Sequence, residues 1–301
     1  MDKTDIIFDL AKILGCEARK DEPLSRHTTF KIGGTADAYI KVTTLSSLSA
    51  ILKECEESDI DYLILGNGSN VLVSDDGYRG VVIRLDGDFR KISLVDDTTI
   101  YCGAGATLAA LSKFALKCGL TGLEFAWGIP GTVGGAVFMN AGAYGGEMKD
   151  VVYSVSHMDK NGAMGRIEKD DLAFGYRTSV YRQNKYIITG VTLRMSHGAP
   201  KDIRAKMDDY LGRRTDKQPL EYPSAGSVFK RPEGAFAGAL IEQCGLKGKS
   251  HGGAQVSEKH AGFIINTGRA TAHDVKSLIR EVQTEVADKT GYTLECELII
   301  L

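Results

Sequence analysis

Three glycine-rich stretches are where this sequence could do chemistry with its backbone. "LGNGSNVLVS" spans Leu65–Ser74 directly after an apolar run, and "KIGGTAD" spans Lys31–Asp37. "WGIPGTVGGAVFMNAGAYGG" spans Trp127–Gly146, with seven glycines and no charge. Glycine lets the chain turn through positive φ and lets a ligand lie against bare amides. Successive N–H groups in such a turn form an anion-binding concavity, to which Ser69 adds a hydroxyl. That chemistry suits a pyrophosphate. In the longest run the glycines interleave with Thr132, Asn140 and Tyr144, a combination that suggests a large, flat, phosphate-bearing ligand held by backbone at two places. The named nucleotide motifs fail. "GNGSNV" and "GAGATL" begin as G-x-G but lack the third glycine of the dinucleotide fingerprint, and there is no G-x-x-x-x-G-K-[ST]. A tight turn between strands Tyr62–Leu65 and Val71–Val73 accounts for "GNGSN" equally well.

The elements that must position these loops alternate. "ADAYIKV" has a strand pattern, and "LSSLSAILKECEES" a helix with Leu45, Leu48, Ile51, Leu52 and Cys55 on one stripe. "DYLILG" is expected as a buried strand ending at Gly66, and "GVVIRL" as another. "TTIYCGAGA" leads into the helix "TLAALSKFALKCG", with Thr107 as cap and Gly119 as stop. Strands follow around Val151–Met158 and Tyr186–Met195. Pro200 marks a boundary, after which come the helix "KDIRAKMDDYLGRRTDK" and the loop "QPLEYPSAG". The strand "AGFIIN", the long helix "TAHDVKSLIREVQTEVADKTG" and a closing strand "TLECELII" complete the chain. This order predicts an α+β protein in three parts, residues 1–85, 86–196 and 197–301. No 20–50-residue repeat and no low-complexity linker interrupts it.

Composition narrows the class. The 301 residues carry a formal charge of −2, with 43% hydrophobic and 25% charged residues, ordinary for a globular chain with a sizeable core. Without a basic stripe, nucleic acid is not an expected partner. The six cysteines (Cys16, Cys55, Cys102, Cys118, Cys244, Cys296) are scattered. None forms a C-x-x-C, so neither a zinc ribbon nor a thioredoxin-like site is indicated, and reduced thiols are expected. The opening "MDKTDIIFDLAKILG" has the pattern of an amphipathic helix, not of a signal peptide. No stretch approaches the roughly 20 apolar residues that span a bilayer. A soluble, cytoplasmic monomer without a metal is the simplest expectation.

Longer motifs carry a resemblance. "HTTFKIGG", "LGNGSNVLV", "GLEFAWGIPGTVGGAVFMNAGAYGGE", "FGYRTSVY", "RRTDKQPLEYPSAGSVFKRP", "GGAQVSEKHAGFIIN" and "LECELII" occur in this order. Together they cover roughly residues 25 to 301. In them the chain resembles the UDP-N-acetylenolpyruvoylglucosamine reductases, the MurB flavoenzymes of peptidoglycan synthesis. The resemblance implies FAD, bound non-covalently in two N-terminal subdomains of the vanillyl-alcohol-oxidase type, and a third domain for substrate. It implies an oxidoreductase acting on a CH–CH bond. NADPH reduces the flavin, and hydride then passes from N5 to the enolpyruvyl methylene of the UDP-sugar. The protein supplies placement, charge stabilisation and a proton.

The residues that match the family's motifs follow from that resemblance. Ser227 in "AGSVFK" corresponds to the proton donor; an isolated hydroxyl is a poor acid and works only within hydrogen-bond reach of the carbanion. Arg177 in "FGYRTS" corresponds to the residue stabilising the enolate, where a guanidinium fork offers two parallel donors. Glu297 in "LECELII" corresponds to an acid which, if protonated, could donate to the same enolate. Physics alone does not separate it from Glu295, two residues away on the same strand face. For FAD the resemblance implies Gly66, Asn67, Gly68, Ser69, Asn70, Pro130, Gly131, Thr132, Gly134, Gly135, Asn140 and Gly142. For substrate it implies Tyr176, Lys217, Arg231 and His260, whose cationic members suit phosphates.

Two departures and two rivals accompany the resemblance. The short separation between Arg177 and Ser227 resembles the shorter class of these reductases, which lacks an inserted loop whose tyrosine closes over substrate. The terminal "ELII" replaces the family's usual E-V-R, which leaves the pairing around Glu297 open. One rival is an alcohol or sugar oxidase on the same scaffold with covalent flavin. No histidine lies between His27 and His157, so Cys102 is the remaining anchor for that reading. The other rival is a non-catalytic flavin or nucleotide-sugar binding module, whose signature would be loss of the serine, arginine and glutamate together.

Overall fold

Four helices begin where the sequence puts a threonine before an apolar stripe. In the computed structural model, residues 3–301 are described; Met1 and Asp2, part of the expected N-terminal helix, lie outside them. Helix α1 covers Lys3–Ile13, α2 Leu45–Glu57, α3 Leu108–Lys117 and α4 Val133–Phe138. Helix α5 covers Met148–Val151, α6 Pro200–Lys217, α7 Ala237–Gln243 and α8 Ala272–Thr290. The Thr44 hydroxyl accepts from the Ser47 N–H at 3.2 Å to open α2, and Thr107 accepts from Ala110 at 3.1 Å to open α3. Thr271 and Asp274 cap α8 reciprocally at 3.0 Å each. Each such cap is worth about 1 kcal/mol. Gly119 (φ 67°) follows α3 and Gly291 (φ 75°) caps α8 in the left-handed conformation, where a side chain would be strained.

Contacts gather the chain into two discontinuous units. The first comprises residues up to Asp21, Asp37–Gly66 and Arg79–Arg213, so the boundaries drawn near 85 and 196 both fall within it. One of its sheets has four strands in the order Glu17–Pro23, Thr35–Val42, Tyr78–Leu85, Tyr62–Ile64. The last two run parallel, from Tyr62 opposite Val81 to Ile64 opposite Ile83. The other is antiparallel with five strands, ordered Met164–Glu168, Val152–Met158, Ile187–Arg194, Thr99–Gly103, Ile92–Leu94. Helix α2 buries Leu48, Ile51, Leu52 and Cys55 in a core with Ile40, Val81, Ile83, Ile100, Leu111, Val155 and Val191. Each large aliphatic buried there contributes about 1.5–3 kcal/mol. Leu45 departs from the expected stripe: it is 44% exposed, because it is the first residue of α2 and precedes the turn that faces the sheet. Tyr62–Ile64 is half-buried, not buried as expected, because it is the edge strand.

The second unit comprises Glu22–Ala36, Asn67–Tyr78 and Arg214–Leu301. Its antiparallel sheet runs Ser224–Ser227, Phe263–Asn266, Ala254–Val256, Ser250–His251. The two short segments belong here for packing reasons. Phe30, Ile32 and Leu72 share a core with Val228, Ile241, Ile264, Val275, Leu278 and Val282. Asp75 accepts from the Ala272 and His273 N–H groups at 2.7 and 2.9 Å, placing a carboxylate on the positive end of α8. Val71–Leu72 pairs in parallel with Ile299–Ile300. The expected closing strand is therefore short. Within the expected strand, Cys296 forms an isolated bridge antiparallel to Phe229.

Candidate active site

The two glycine loops expected to share a ligand meet at Gly66 and Thr132, both in the first unit. A Cβ on Gly66 would fall 2.5 Å from the Thr132 hydroxyl, and the Gly66 carbonyl accepts from Arg84 at 3.2 Å. Thr132 caps α4, its oxygen accepting from Gly135 N–H at 3.3 Å. The Val133 and Gly134 N–H groups donate to Ala106 and Ala104, both at 2.8 Å. These three amides are thus spent inside the protein, so what this turn offers a ligand is bare Cα surface. Gly134 is needed by the protein itself, since a Cβ there would lie 2.9 Å from the Ala104 Cβ. At Gly142 a Cβ would meet the Glu147 side chain at 2.6 Å, and at Gly146 the Phe125 ring at 2.6 Å. Gly135 differs: a Cβ there would meet only Thr132 Oγ1, at 3.3 Å.

Two enclosed polar atoms in this unit have no hydrogen-bond partner among the described residues: Trp127 Nε1 and Thr189 Oγ1. The Thr189 carbonyl accepts from Ala104, whose own carbonyl accepts from Gly134. A buried hydroxyl without a partner is costly, and the Thr189 backbone is joined through Ala104 to the Gly134 turn. The open Cα surface at Gly135 and these two unpartnered donors suit a flat, polar cofactor such as FAD.

Asn67–Asn70 belongs to the second unit. Gly68 (φ 60°) passes so close to the backbone that a Cβ would lie 2.3 Å from the His27 carbonyl. Its own carbonyl accepts from the Thr29 N–H at 3.1 Å and lies 3.3 Å from the Thr29 hydroxyl, which also donates to Ser224 at 2.7 Å. Asn70 donates to the Glu297 carbonyl at 3.3 Å and accepts from Ile299 N–H at 3.0 Å.

Ser227 and Glu297 are neighbours in this unit. Ser224 lies opposite Ile265 and Ser227 opposite Phe263, so the strand carries one extra residue. Gly226 takes it up at φ 79°. Such bulges re-aim a side chain, and Ser227 emerges exposed. The next residue, Val228, accepts the Glu297 N–H at 2.7 Å. Glu297 is half-buried, whereas Glu295 is 72% exposed and paired with Lys230 at 2.7 Å. That ion pair holds the Glu295 carboxyl below its ordinary range. The two acids that periodicity could not separate therefore differ in surroundings, and Glu297 is the one beside Ser227.

Arg177 lies in the first unit, at the tip of a tight turn. Gly175 and Thr178 exchange backbone hydrogen bonds of 3.1 and 3.3 Å around Tyr176 and Arg177. The Arg177 Nη2 approaches the Gly142 carbonyl at 3.5 Å, and the Arg177 carbonyl accepts from Arg182 at 3.0 Å. Gly142–Ala143 and Gly146–Glu147 form a hairpin, turned by Tyr144 (φ 53°) and Gly145 (φ 86°). Two consecutive positive φ values match the twist of a two-residue hairpin. The Tyr144 ring stacks on Tyr210 of α6, centroids 4.6 Å apart. Asn140, 1% exposed, donates to Glu147 at 3.0 Å and to the Gly175 carbonyl at 2.9 Å, and accepts from Lys149 N–H at 3.0 Å. Both of its amide N–H groups are used within the protein. Asn140, Tyr144 and Arg177 are three of the seven non-glycine residues with positive φ among the described residues. Strain of this kind gathers at functional sites.

Of the remaining substrate candidates, Tyr176 belongs to the first unit and Lys217, Arg231 and His260 to the second. Tyr176 is 48% exposed and lies against the Arg177 guanidinium, 5.1 Å away. Lys217 is the exposed last residue of α6. Arg231 lies over the Phe236 ring at 4.4 Å. His260 accepts from Gly262 N–H on Nδ1 at 3.1 Å, which puts the neutral ring's proton on Nε2, and burial holds its pKa below the ordinary value. At neutral pH it offers a donor, not a charge.

Comparison with known proteins decides the family. A UDP-N-acetylenolpyruvoylglucosamine reductase of Clostridioides difficile (strain 630) is 47% identical over 302 residues, covering 100% of this chain and 99% of the relative. The chain belongs to the UDP-N-acetylenolpyruvoylglucosamine reductase family. The model of that reductase family's C-terminal domain matches residues 218–301, and an FAD binding domain matches residues 36–168. The crystal structure of the MurB reductase from Thermus caldophilus superposes with a TM-score of 0.81 at 37% identity, covering 95% of this chain and 98% of that one. A glucooligosaccharide oxidase from Acremonium strictum, with cysteinyl and histidyl FAD, shares the fold at TM-score 0.51 and 11% identity, over 96% of this chain and 60% of that chain. The α+β fold is thus an FAD-binding module of the vanillyl-alcohol-oxidase type followed by the MurB C-terminal domain.

Within the MurB framework two points of the sequence reading change. Cys102, the remaining anchor for covalent flavin, is fully buried in the first unit's core, and burial pushes its thiol up to about 12. A thiol so placed is neither exposed nor readily ionised. Glu147, the acid that ends the charge-free run, is not singled out by the sequence, yet it bonds to Asn140 at 3.0 Å and to Lys149 at 2.8 Å.

Proposed function

We propose that this chain reduces the enolpyruvyl group of UDP-N-acetylglucosamine enolpyruvate to UDP-N-acetylmuramate, using NADPH and FAD, in peptidoglycan precursor synthesis. When bound, FAD supplies the hydride taken from NADPH. The chain's own residues do the rest. Arg177 holds the substrate carboxylate, where a guanidinium fork favours negative charge as it builds. Ser227 delivers the proton to the adjacent carbon, and Glu297 supports the enolate by hydrogen bonding. Gly66–Asn70 and Pro130–Gly135 are the FAD-binding segments, with Thr189 and Trp127 as added donors; Lys217, Arg231, His260 and Tyr176 serve substrate. The three-part division at residues 85 and 196 describes two flavin subdomains and one substrate domain. The enzyme works as a monomer in the cytoplasm; among the described residues no helix is long and apolar enough to cross a membrane.

The observation that carries this reading is the bulged strand: Gly226 turns Ser227 outward while Val228 takes the N–H of half-buried Glu297. The test is direct. Purified yellow protein mixed anaerobically with NADPH bleaches, and adding the enolpyruvyl UDP-sugar restores the colour with one equivalent of product. Bleaching without recovery overturns the assignment. Acid precipitation leaves the flavin in the supernatant; colour in the pellet signals a covalent link and the oxidase reading.

A further inference from the structure

Asn140 and Glu147 stand out once the glycine run has been accounted for. Asn140 is among the most deeply buried polar residues of the first unit, it sits at φ 43°, and its amide makes three hydrogen bonds that tie the Arg177 turn to the hairpin segment. One N–H holds the Gly175 carbonyl at 2.9 Å, at the base of the turn that presents Arg177. The other holds Glu147 Oε2 at 3.0 Å. The amide oxygen takes the Lys149 N–H at 3.0 Å, fixing the residue that follows the hairpin. Glu147 also pairs with the Lys149 ammonium at 2.8 Å. Its strand pairs with Gly142, whose carbonyl faces the Arg177 guanidinium at 3.5 Å.

We propose that Asn140 and Glu147 are positioning residues for Arg177: Asn140 locks the turn's backbone, and Glu147 supplies the negative charge that orients the guanidinium before substrate arrives. This rests on the reading of Arg177 as the carboxylate-binding residue. The physical need is clear. Arg177 lies at φ 55°, a conformation that an arginine keeps only when its surroundings over-determine it. The carbonyl that Asn140 grips also accepts from Thr178 N–H at 3.3 Å, so removing Asn140 frees the turn on its inner side. Electrostatics agree: the Lys149 pair, assisted by the Asn140 hydrogen bond and the nearby Arg177 charge, outweighs burial and holds the Glu147 carboxyl below its ordinary range. It is an anion at working pH. An arginine pre-set by an anion costs less to order when the substrate carboxylate binds.

The alternative is that Asn140 contacts FAD directly, and the two roles separate experimentally. Asn140→Ala, Asn140→Asp and Glu147→Gln are made in the full chain, alone and together with Arg177→Lys. FAD content, flavin reduction by NADPH and flavin reoxidation by the enolpyruvyl UDP-sugar are measured for each. Expected for Asn140→Ala are unchanged FAD content, unchanged reduction, and reoxidation slowed about 10- to 100-fold, the usual cost of a small misplacement. Asn140→Asp is slower still, because it sets a carboxylate against Glu147. In the Arg177→Lys background the further loss from either substitution falls below about twofold, because coupled residues are non-additive. Loss of FAD with both half-reactions slowed overturns the proposal in favour of a cofactor contact. Losses that multiply with that of Arg177→Lys overturn it too. If Asn140 variants do not fold, Glu147→Gln with the same non-additivity decides. Wild-type protein that fails to turn over the UDP-sugar sinks the functional reading, an outcome distinct from any of these.

Discussion

Asn70 grips the chain on either side of Leu298, donating to the carbonyl of Glu297 at 3.3 Å and accepting the N–H of Ile299 at 3.0 Å. A glycine-loop residue thereby sets the position of the acid beside Ser227. Asn70→Ala removes the side-chain bond, worth about 1 kcal/mol. The expected result is a lower thermal midpoint together with slower reoxidation per bound flavin. Fluorescence melting and stopped-flow absorbance check it; unchanged reoxidation per flavin contradicts the link to Glu297.

Ser227→Ala removes the hydroxyl proposed to protonate carbon. Only the second half-reaction needs that proton, so reduction by NADPH should stay within about twofold. Reoxidation by substrate should fall by about 10²–10⁴, the usual worth of a positioned acid. Equal slowing of both phases in single-turnover traces contradicts the assignment.

Gly226→Ala tests the bulge. A Cβ at Gly226 meets nothing within 4 Å, so the substitution is uncrowded and only φ 79° opposes it. That strain costs about 1–2 kcal/mol. Denaturant unfolding should show this loss, and reoxidation should slow as the backbone relaxes and Ser227 turns away. Wild-type reoxidation in a destabilised variant would mean that the bulge does not aim the serine.

Neighbouring glycines in α4 should fail differently. Gly134→Ala sets a methyl group 2.9 Å from the Ala104 Cβ, and overpacking of this kind costs about 1–3 kcal/mol whether or not flavin is present. Gly135→Val adds bulk where only Thr132 Oγ1 stands nearby. It should spare the apoprotein's melting temperature and lower FAD retention. Apoprotein melting and flavin-to-protein absorbance ratios separate the two, and a Gly135→Val protein as yellow as wild type rejects that face as the cofactor's.

His260 predicts a pH dependence of stability. Burial is the main cause of its lowered pKa, and it outweighs the favourable influence of Glu242. The unfolded chain therefore takes up the proton first as pH falls. Stability from neutral His260 is present above the ordinary value of 6.5 and is lost progressively below it. Urea midpoints measured from pH 7.5 to about 5 should fall less steeply for His260→Asn than for wild type. Parallel curves contradict a neutral buried ring.

Local signals were legible in the sequence. Thr107 and Gly119 bound their helix as expected, because a cap and a left-handed stop act within one turn. The glycine run was only partly legible. Gly134, Gly142 and Gly146 each face atoms of this same protein, and a sequence does not reveal whether a missing side chain makes room for ligand or for chain. Glu295 and Glu297 share a face by period two, and only the Lys230 ion pair and the difference in burial distinguish them. Pairing across long separations was invisible: nothing local in "LGNGSNVLVS" announces that Val71 and Leu72 align with Ile299 and Ile300.

That pairing has a consequence for how the molecule is made. Asn70 and Glu297 are 227 positions apart, so the ribosome delivers the loop long before it delivers the strand that fixes it. Until Val228 and the residues after it are made, Phe30, Ile32 and Leu72 lack the core they share. A nascent chain with such late-satisfied apolar segments is a natural client for chaperones, and the hold of Asn70 on Glu297 cannot form before residue 297 is made.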